Sequence, residues 1–380
     1  MFGAVVIIFS LMLAILGYLV MPDSTPNANE QMLEIAAKKP GFSINVLKVR
    51  KNAKLEKRNF LYKMLFGEQN PFRLYPVYDH SLIGEKLKVE LYTGDQPNDG
   101  EIKIIELVDV CFALSVKNPG IETAKDMVTY NDINEQDQEV SIDHLEKMID
   151  GHLVRKTYLL GTDRFGRDML SRMIGGTRLS LAVGFVAVFI SLIIGISLGA
   201  IAGFFRGIID EVVMWFVTVV WSIPLLLLVI AITLALGKGF WQVFLAVGLA
   251  MWVDVARITR GQILSLREKE YVEACRALGF SGFRTIFRHI LPNIMGPVIV
   301  ISAANFATAI LIEAGLSFLG VGAQPPQPSW GRMIKDHYGY IIMDEAYLAI
   351  IPGAAIFLMV LSFTLVGNGI RDALDVRAEK

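Results

Sequence analysis

The chain has 380 residues, of which 53% are apolar and only 19% charged, whereas ordinary globular domains carry about 25% charged residues. That balance points to a membrane protein, and a net charge of −1 removes any strong general attraction to nucleic acid. Two cysteines, Cys111 and Cys275, are too few for a disulfide framework and are not expected to pair.

A helix that crosses the hydrocarbon core needs about 20 mostly apolar residues. The first such run is Met1–Pro22. It has no basic n-region and no Ala-x-Ala-like site before Pro22, so it is expected to stay as an uncleaved anchor. A polar insertion follows over residues 23–157, and the remainder, 158–380, reads as a five-span core. Its spans are expected at about 179–205, 212–236, 239–258, 294–319 and 346–370, with a loop over 259–293. The fourth is the weakest, since only 15 residues separate Lys238 from Asp254.

Within the insertion, Pro22–Asn29 is rich in turn formers and Lys48–Lys63 is a basic run. Lys86–Tyr92 and Glu101–Val108 alternate like strands. Gly94–Asp95 with Pro97–Gly100 suits a hairpin connection between them. Ser141 is placed to cap a short helix running to Ile149. A small α+β domain is one reading and a solvated spacer the other. His80, His144 and His152 are expected to be merely solvated.

Orientation follows from Lys and Arg in the short loops. Val255–Arg288 carries seven basic residues, and the tail adds Arg371, Arg377 and Lys380. The loops after Leu236 and Gly322 offer only Lys238, and Arg332 with Lys335. The Val255–Arg288 stretch and the C-terminus are therefore expected in the cytoplasm. Six spans put the N-terminus there too, and the insertion outside.

The 259–293 loop is long, and it reads as two helices. Leu266–Leu278 has apolar or small residues at 271, 274, 275 and 278, and Gly279 follows where a helix end favours positive φ. Ser281 caps a second helix, Gly282–Ile290, and Pro292 is expected to stop it. Small Ala274, Cys275 and Gly279, with Glu273 on a polar rim, would admit a partner surface closely. The same spacing also suits a basic amphipathic helix resting on lipid headgroups. Periodicity alone does not choose between them.

Residue identity does. Glu273-Ala274-Cys275, Gly279 and His289-Ile290-Leu291-Pro292 closely resemble the EAA loop of ABC importer permeases. The match holds at Glu273, Ala274, Gly279, Leu291 and Pro292; Cys275 stands where Ala is usual and His289 where Ile is usual. Upstream, Leu160-Gly161-Thr162-Asp163, Gly166-Arg167-Asp168 and Ser171-Arg172 look like the signature before span two in the C-type subunit of the dipeptide, oligopeptide and nickel importers. Glu313–Gly320 and Pro328–Gly331 are similar to the segment after the EAA loop in the same group. The resemblance covers roughly 158–377 and leaves most of the insertion outside.

From its residues alone, the 161–172 stretch is a turn at the membrane boundary. Either Asp163 caps an interfacial helix with Arg167 and Arg172 turned to headgroups, or the segment receives substrate or a binding protein.

The resemblance implies an all-α polytopic fold of six helices in the type I ABC permease arrangement, with the insertion as an extra extracytoplasmic element. It implies an inner-membrane subunit that performs no bond chemistry. Its expected partners are a second homologous permease subunit, two ATPase subunits at the EAA loops and an extracytoplasmic solute-binding protein. No cofactor or metal is expected on this chain, because it has no Gly-x-x-x-x-Gly-Lys-Ser/Thr loop and no His/Cys/carboxylate cluster with zinc spacing. ATP would be used by the partners.

Two features keep rivals open. Glu313 is an acid inside a span, near Gly315 and Ser317, and such acids are often functional. It suits a gate or packing contact in a permease, or the coupling residue of an ion- or proton-driven carrier. Pro224 is expected to kink span three, as a gate element or a tolerated bend. A third reading is a membrane-anchored scaffold whose activity lies in the insertion.

Overall fold

The computed structural model describes residues 1–375 apart from Lys57, Asp95 and Lys238, so the expected roles of Asp95, Lys238, Arg377 and Lys380 fall outside it. The chain resolves into two compact units, Ile15–Ile174 and the pair Met1–Ala14 with the chain from Gly175 on. Helix α1 (Phe2–Val20) contributes to both.

In the Ile15–Ile174 unit, five strands form an antiparallel sheet in the order β4-β3-β2-β1-β8. These are β1 (Phe42–Arg50), β2 (Phe72–Ile83), β3 (Lys86–Leu91), β4 (Ile102–Glu106) and β8 (Leu153–Tyr158). The expected hairpin is β3–β4, paired from Lys86↔Glu106 to Glu90↔Ile102. Leu87 and Val89 point to one face, with period two, onto a core shared with Leu47, Ile105, Leu107 and Leu145. Two helices close that face: α3 (Leu107–Cys111) and α4 (Ile142–His152), the latter capped by Ser141 Oγ, which accepts from His144 N. Each fully buried Leu there contributes about 1.5–3 kcal/mol. The other face of β1 packs Ile44 and Val46 against Met32, Ile35 and Tyr158. A smaller sheet holds β5 (Glu122–Ala124), β6 (Met127–Asn131) and β7 (Asp137–Ser141). Helix α2 (Phe60–Phe66) has no buried residue. The insertion is thus an α+β element and not a bare spacer. His152 is half-buried, its Nδ1 2.7 Å from Lys48 O, so it is more than a solvated side chain.

The second unit is helical: α5 (Met169–Phe205, begun in the first unit), α6 (Gly207–Trp221), α7 (Leu225–Leu236), α8 (Phe240–Ala250), α9 (Trp252–Leu266), α10 (Glu270–Ala277), α11 (Gly282–Thr285), α12 (Leu291–Leu319), α13 (Trp330–His337) and α14 (Tyr347–Asp375). Among the described residues five helical stretches are long and apolar enough to cross a membrane, and six if the bent pair α6–α7 counts as one. That pair turns by 92°, with Pro224 at the start of α7. The expected kink is therefore a full break. Ring closure fixes the proline φ and removes the N–H that a continuous helix would need.

Three boundaries differ from the sequence reading. Span four continues through α9 to Leu266 instead of ending near 258, because its polar residues find partners within the unit: Arg260 grips Asp210 of α6 through Nε (2.5 Å) and Nη2 (2.6 Å). Second, the expected Leu266–Leu278 helix is broken at Arg267–Lys269, and α10 starts only at Glu270. Third, Gly282–Ile290 is not a separate helix stopped by Pro292; α11 runs through one π-helical turn (Ile286–Ile290) into α12. Pro292 lies just after that π turn, and the helix continues through it.

Close packing of α5 on α9 rests on a glycine stripe absent from the sequence reading. A Cβ at Gly195, Gly199 or Gly203 would come within 2.5 Å of Val255, 2.4 Å of Ala256 O or 3.0 Å of Arg260 O. Small residues four apart let two helix backbones approach directly.

Candidate coupling site

Helix α10 ends in a complete Schellman motif. Gly279 takes φ +74°, its N–H donates to Arg276 O (2.9 Å), and Phe280 N–H donates to Cys275 O (3.0 Å). The chain then reverses, and Ser281 Oγ accepts from Arg284 N to start α11. The arrangement is a helical hairpin whose corner requires the left-handed backbone that Gly279 supplies.

The two faces of α10 differ. Val272 is fully buried in a cluster with Ala200 of α5, Ile263 of α9, Ile286 and Ile290 of the π turn, and Ile294 and Val298 of α12. Cys275 is buried beside it on the same face, 6% exposed. Residues 272 and 275 are three apart, so they share one side of the helix, whereas 273 and 274 lie about 100–200° around it. Glu273, Ala274, Ala277, Leu278 and Gly279 are all exposed. Large apolar side chains extend that outer surface: Leu278 is 72% exposed, Phe283 70% and Phe287 51%. The Phe283 and Phe287 rings lie 4.3 Å apart. Behind them, Arg284 covers the Phe280 ring at 4.2 Å and Phe280 stacks on His289.

The sequence reading is corrected here in two respects. Cys275 faces inward and is no part of an outer docking surface, and of the set 271, 274, 275 and 278 it alone is buried. Leu278, Phe283 and Phe287 were missed as exposed apolar side chains on this surface. Their signal was present, as two Phe four residues apart in a segment too polar to span a bilayer. Of the other residues expected to take part in coupling, Leu291 is half-buried and Pro292 exposed, the first two residues of α12.

The 161–172 signature, in the other unit, is built in the opposite sense. Thr162, Asp163, Arg167, Asp168, Ser171 and Arg172 are all buried. Asp163 caps no helix. Its Oδ1 accepts from Phe165 N (2.9 Å) and Arg167 N (3.0 Å), while Oδ2 lies 2.7 Å from Arg167 Nε and 3.5 Å from Arg172 Nε. Arg167 Nη1 donates onward to Asn29 Oδ1 (3.0 Å). The two arginines are thus turned inward, not to headgroups, because one buried carboxylate needs them both. Thr162 Oγ1 donates to Ile35 O and accepts from Lys38 N. Asp168 is the residue that caps α5, its Oδ2 accepting from Ser171 N (2.8 Å) and Ser171 Oγ (2.5 Å). Burial pushes the Asp168 carboxyl above its ordinary range, against the pull of the Ser171 hydrogen bonds. Gly161 and Gly166 adopt φ +75° and +68°, and a Cβ on them would strike Lys38 O and Met32 O.

Glu313, 1% exposed on α12, accepts from Ser317 Oγ (2.7 Å) and Ser329 Oγ (2.8 Å) through the same oxygen. It thereby ties α12 to the start of α13. Gly315 does not serve close packing, since a Cβ there would meet nothing within 4 Å; Gly331 does, lying against Ala314 O. Pro224 is exposed at the α6–α7 break, where Arg257 covers the Trp221 ring at 4.2 Å. Among the described residues no group of three or more His, Cys, Asp or Glu side chains is placed to hold a metal ion.

A dipeptide transport system permease protein of Alkalihalophilus pseudofirmus is 43% identical over 215 residues, covering 57% of this chain and 70% of that protein. The chain belongs to the ABC importer permeases. The oligopeptide transport system permease protein of Bacillus subtilis is 39% identical over 225 residues, with 59% and 73% of the two chains covered. A glutathione transport system permease protein of Pectobacterium atrosepticum is 40% identical over 216 residues, with 57% and 71% covered. The family model for the binding-protein-dependent transport system inner membrane component matches residues 195–380, which takes in the whole of the α10 hairpin and leaves out the sheet-bearing insertion. Among solved structures, an inward-facing methionine ABC transporter matches with a TM-score of 0.46 and 21% identity, over 54% of this chain and 97% of that one. Permease subunits are multi-pass inner-membrane proteins, and nothing in these relatives favours an ion- or proton-driven carrier.

Proposed function

We propose that this permease moves small peptides, and that α10 with its Gly279 corner is the surface on which an ATPase subunit pushes. The cargo class rests on the relatives, which are named for dipeptides, oligopeptides and glutathione. The coupling role rests on one observation: α10 is welded to α5, α9 and α12 through Val272 while its opposite face is bare. A rigid body seated on that face would move the spans with it, because a packed core transmits displacement instead of absorbing it. Glu273, Ala274, Gly279 and the Leu278–Phe287 apolar edge make the docking face. Cys275, Leu291 and Pro292 support it from behind and below. Burial of one apolar edge in a partner groove, rimmed by charge, is the helix-in-groove mode of recognition.

The remaining parts follow in that reading. Two ATPase subunits hydrolyse ATP, this chain binds no cofactor and catalyses no bond change, a homologous permease subunit completes the path, and a solute-binding protein delivers cargo outside. Both termini lie in the cytoplasm. The α6–α7 break at Pro224 and the Glu313 hydroxyl clasp are the candidate gate elements, as two-state elements in alternating access. In this reading the 161–168 signature is a fastener and touches no cargo.

A cysteine at Ala274 should cross-link to an ATPase subunit in the assembled transporter. Glu273→Arg combined with Gly279→Pro, which supplies neither the positive φ nor the N–H of the corner, should abolish ATP-driven peptide uptake while the spans stay inserted. Uptake that survives the double variant, with no cross-link from 274, would end the coupling reading; uptake driven by a pH gradient without ATP would favour the carrier.

A further inference from the structure

The basic run Lys48–Lys63 has seven basic residues against one acid, Glu56, and nothing in the permease machinery uses it. It leads directly into α2, whose Phe60, Leu61, Tyr62, Leu65 and Phe66 are 65%, 66%, 40%, 42% and 56% exposed. Five large apolar side chains on seven residues are far more than a solvated helix carries. At 100° per residue they form one broad face of about 240°, wider than the stripe a protein groove would take, with Lys63 in the remaining gap.

The position of α2 says what they face. Its last turn is stapled to the residues that follow α1 in the chain: Gly67 lies against Ser24 O and the Tyr18 ring, and Glu68 N donates to Ser24 O (3.0 Å). Tyr18 Oη in turn accepts from Asn27 N (3.0 Å). Helix α1 has 19 residues; at 1.5 Å per residue it is about 28 Å long, close to the thickness of the hydrocarbon core. Its end at Val20, with Tyr18 two residues back, is therefore the hydrocarbon boundary, where tyrosines collect. A helix fastened at that end lies at headgroup depth. Arg58 sits over the Tyr62 ring at 4.6 Å, and a cavity of about 350 Å³ beside it is lined by Lys54, Arg58, Tyr62 and Glu68.

We propose that α2 is an interfacial anchor: it lies in the leaflet at which α1 ends, with Phe60, Leu61, Tyr62, Leu65 and Phe66 among the upper acyl chains and Lys54, Arg58 and Lys63 on anionic phospholipid headgroups. An apolar face flanked by cations is what such an interface binds, through buried area and charge together. The occupant is lipid, and the proposal does not depend on the coupling role of α10. Because none of the α2 side chains belongs to either core of the sheet unit, they can be changed without unfolding it.

The test uses the full chain in nanodiscs containing phosphatidylglycerol, with an environment-sensitive fluorophore on Leu61→Cys and, as control, on Glu135→Cys; native Cys111 and Cys275 are buried. The label at 61 should be quenched by lipids carrying a doxyl group near the headgroup and shielded from aqueous iodide, with the control reversed. The combined change Lys54→Glu, Arg58→Glu and Lys63→Glu should reduce lipid quenching several-fold. Iodide quenching at 61 without lipid quenching overturns the proposal, as does lipid quenching indifferent to the charge reversal. Shielding that arises only when a solute-binding protein is added overturns it too, by assigning the face to that protein.

Discussion

The 161–172 signature and the α10 hairpin look alike as sequences: each is short and polar and turns on glycine held at positive φ, Gly161 and Gly166 in one and Gly279 in the other. In the structure they are opposites. Every charged side chain of the signature from Asp163 to Arg172, apart from Arg164, is buried and turned to a partner inside its own unit. The hairpin buries Val272 and Cys275 before its corner and Thr285 and Ile286 after it, and leaves its acids, its alanines, Leu278, Phe283 and Phe287 outside. A motif whose polar groups satisfy one another has spent its recognition on the fold. One whose inner face is packed and outer face bare is unfinished without a partner.

That contrast is most exposed to failure at Asp163. Asp163→Ala leaves Arg167 buried without its carboxylate, and removing one member of a buried pair costs about 3–5 kcal/mol. The expected result is a large fall in the melting temperature of the detergent-purified chain, or failure to accumulate. Asp143→Ala removes an exposed partner of Lys147, and such a pair is worth about 0–1 kcal/mol, so it should change little. Equal stability of the two variants would mean that the signature is not a fastener. On the other side of the comparison, Leu278→Ser with Phe283→Ser should leave the melting temperature unchanged yet weaken ATPase association. A single interface anchor is typically worth about 2 kcal/mol, or roughly 30-fold in affinity. A pull-down or titration with the ATPase reads this directly; a loss of stability without a loss of association would invert the assignment of faces.

How far this was legible beforehand depended on whether the signal was local. Apolar runs marked the spans, since each must satisfy its backbone within itself. The Gly279 corner and the Ser281 and Ser141 caps were readable because capping involves neighbours in the chain. The inward turn of Arg167 and Arg172 was not: Asp163 stands only four and nine residues from them, but their further partners Asn29 and Asn27 lie over 130 residues away. The extension of span four through Arg257 and Arg260 was hidden for the same reason: charges look like a loop until Asp210 and Trp221 appear beside them. Pro292 was misread from a sound rule, since proline usually ends a helix, yet here the helix runs on through it just after a π turn. The glycine stripe 195-199-203 could have been found by spacing alone.

Gly279 offers a smaller and cleaner effect. A non-glycine residue in the left-handed region costs about 1–2 kcal/mol, so Gly279→Ala should shift the melting point slightly. No atom lies within 4 Å of a Cβ added there; the strain is conformational, not steric. The hairpin should therefore still form, and transport should weaken only as far as its corner opens. Gly166→Ala, with Met32 O in the way of its Cβ, should be far more damaging, and a reversal of that order would count against the close approach of 32 and 166.

The finest division falls between adjacent residues, 274 and 275. If α10 has an inner and an outer face, Ala274→Cys should react readily with a maleimide in the isolated permease while native Cys275 resists until the chain is unfolded. Cys111 supplies the reference for a buried thiol: burial pushes its pKa up to about 11, leaving roughly one part in a thousand as the reactive thiolate at pH 8. Adding the ATPase subunits should then protect position 274 and leave Cys275 as it was. Equal reactivity at 274 and 275 in the permease alone would show that the helix does not hold the Val272 side inward. With that lost, nothing would connect a push on the outer face to α5, α9 and α12.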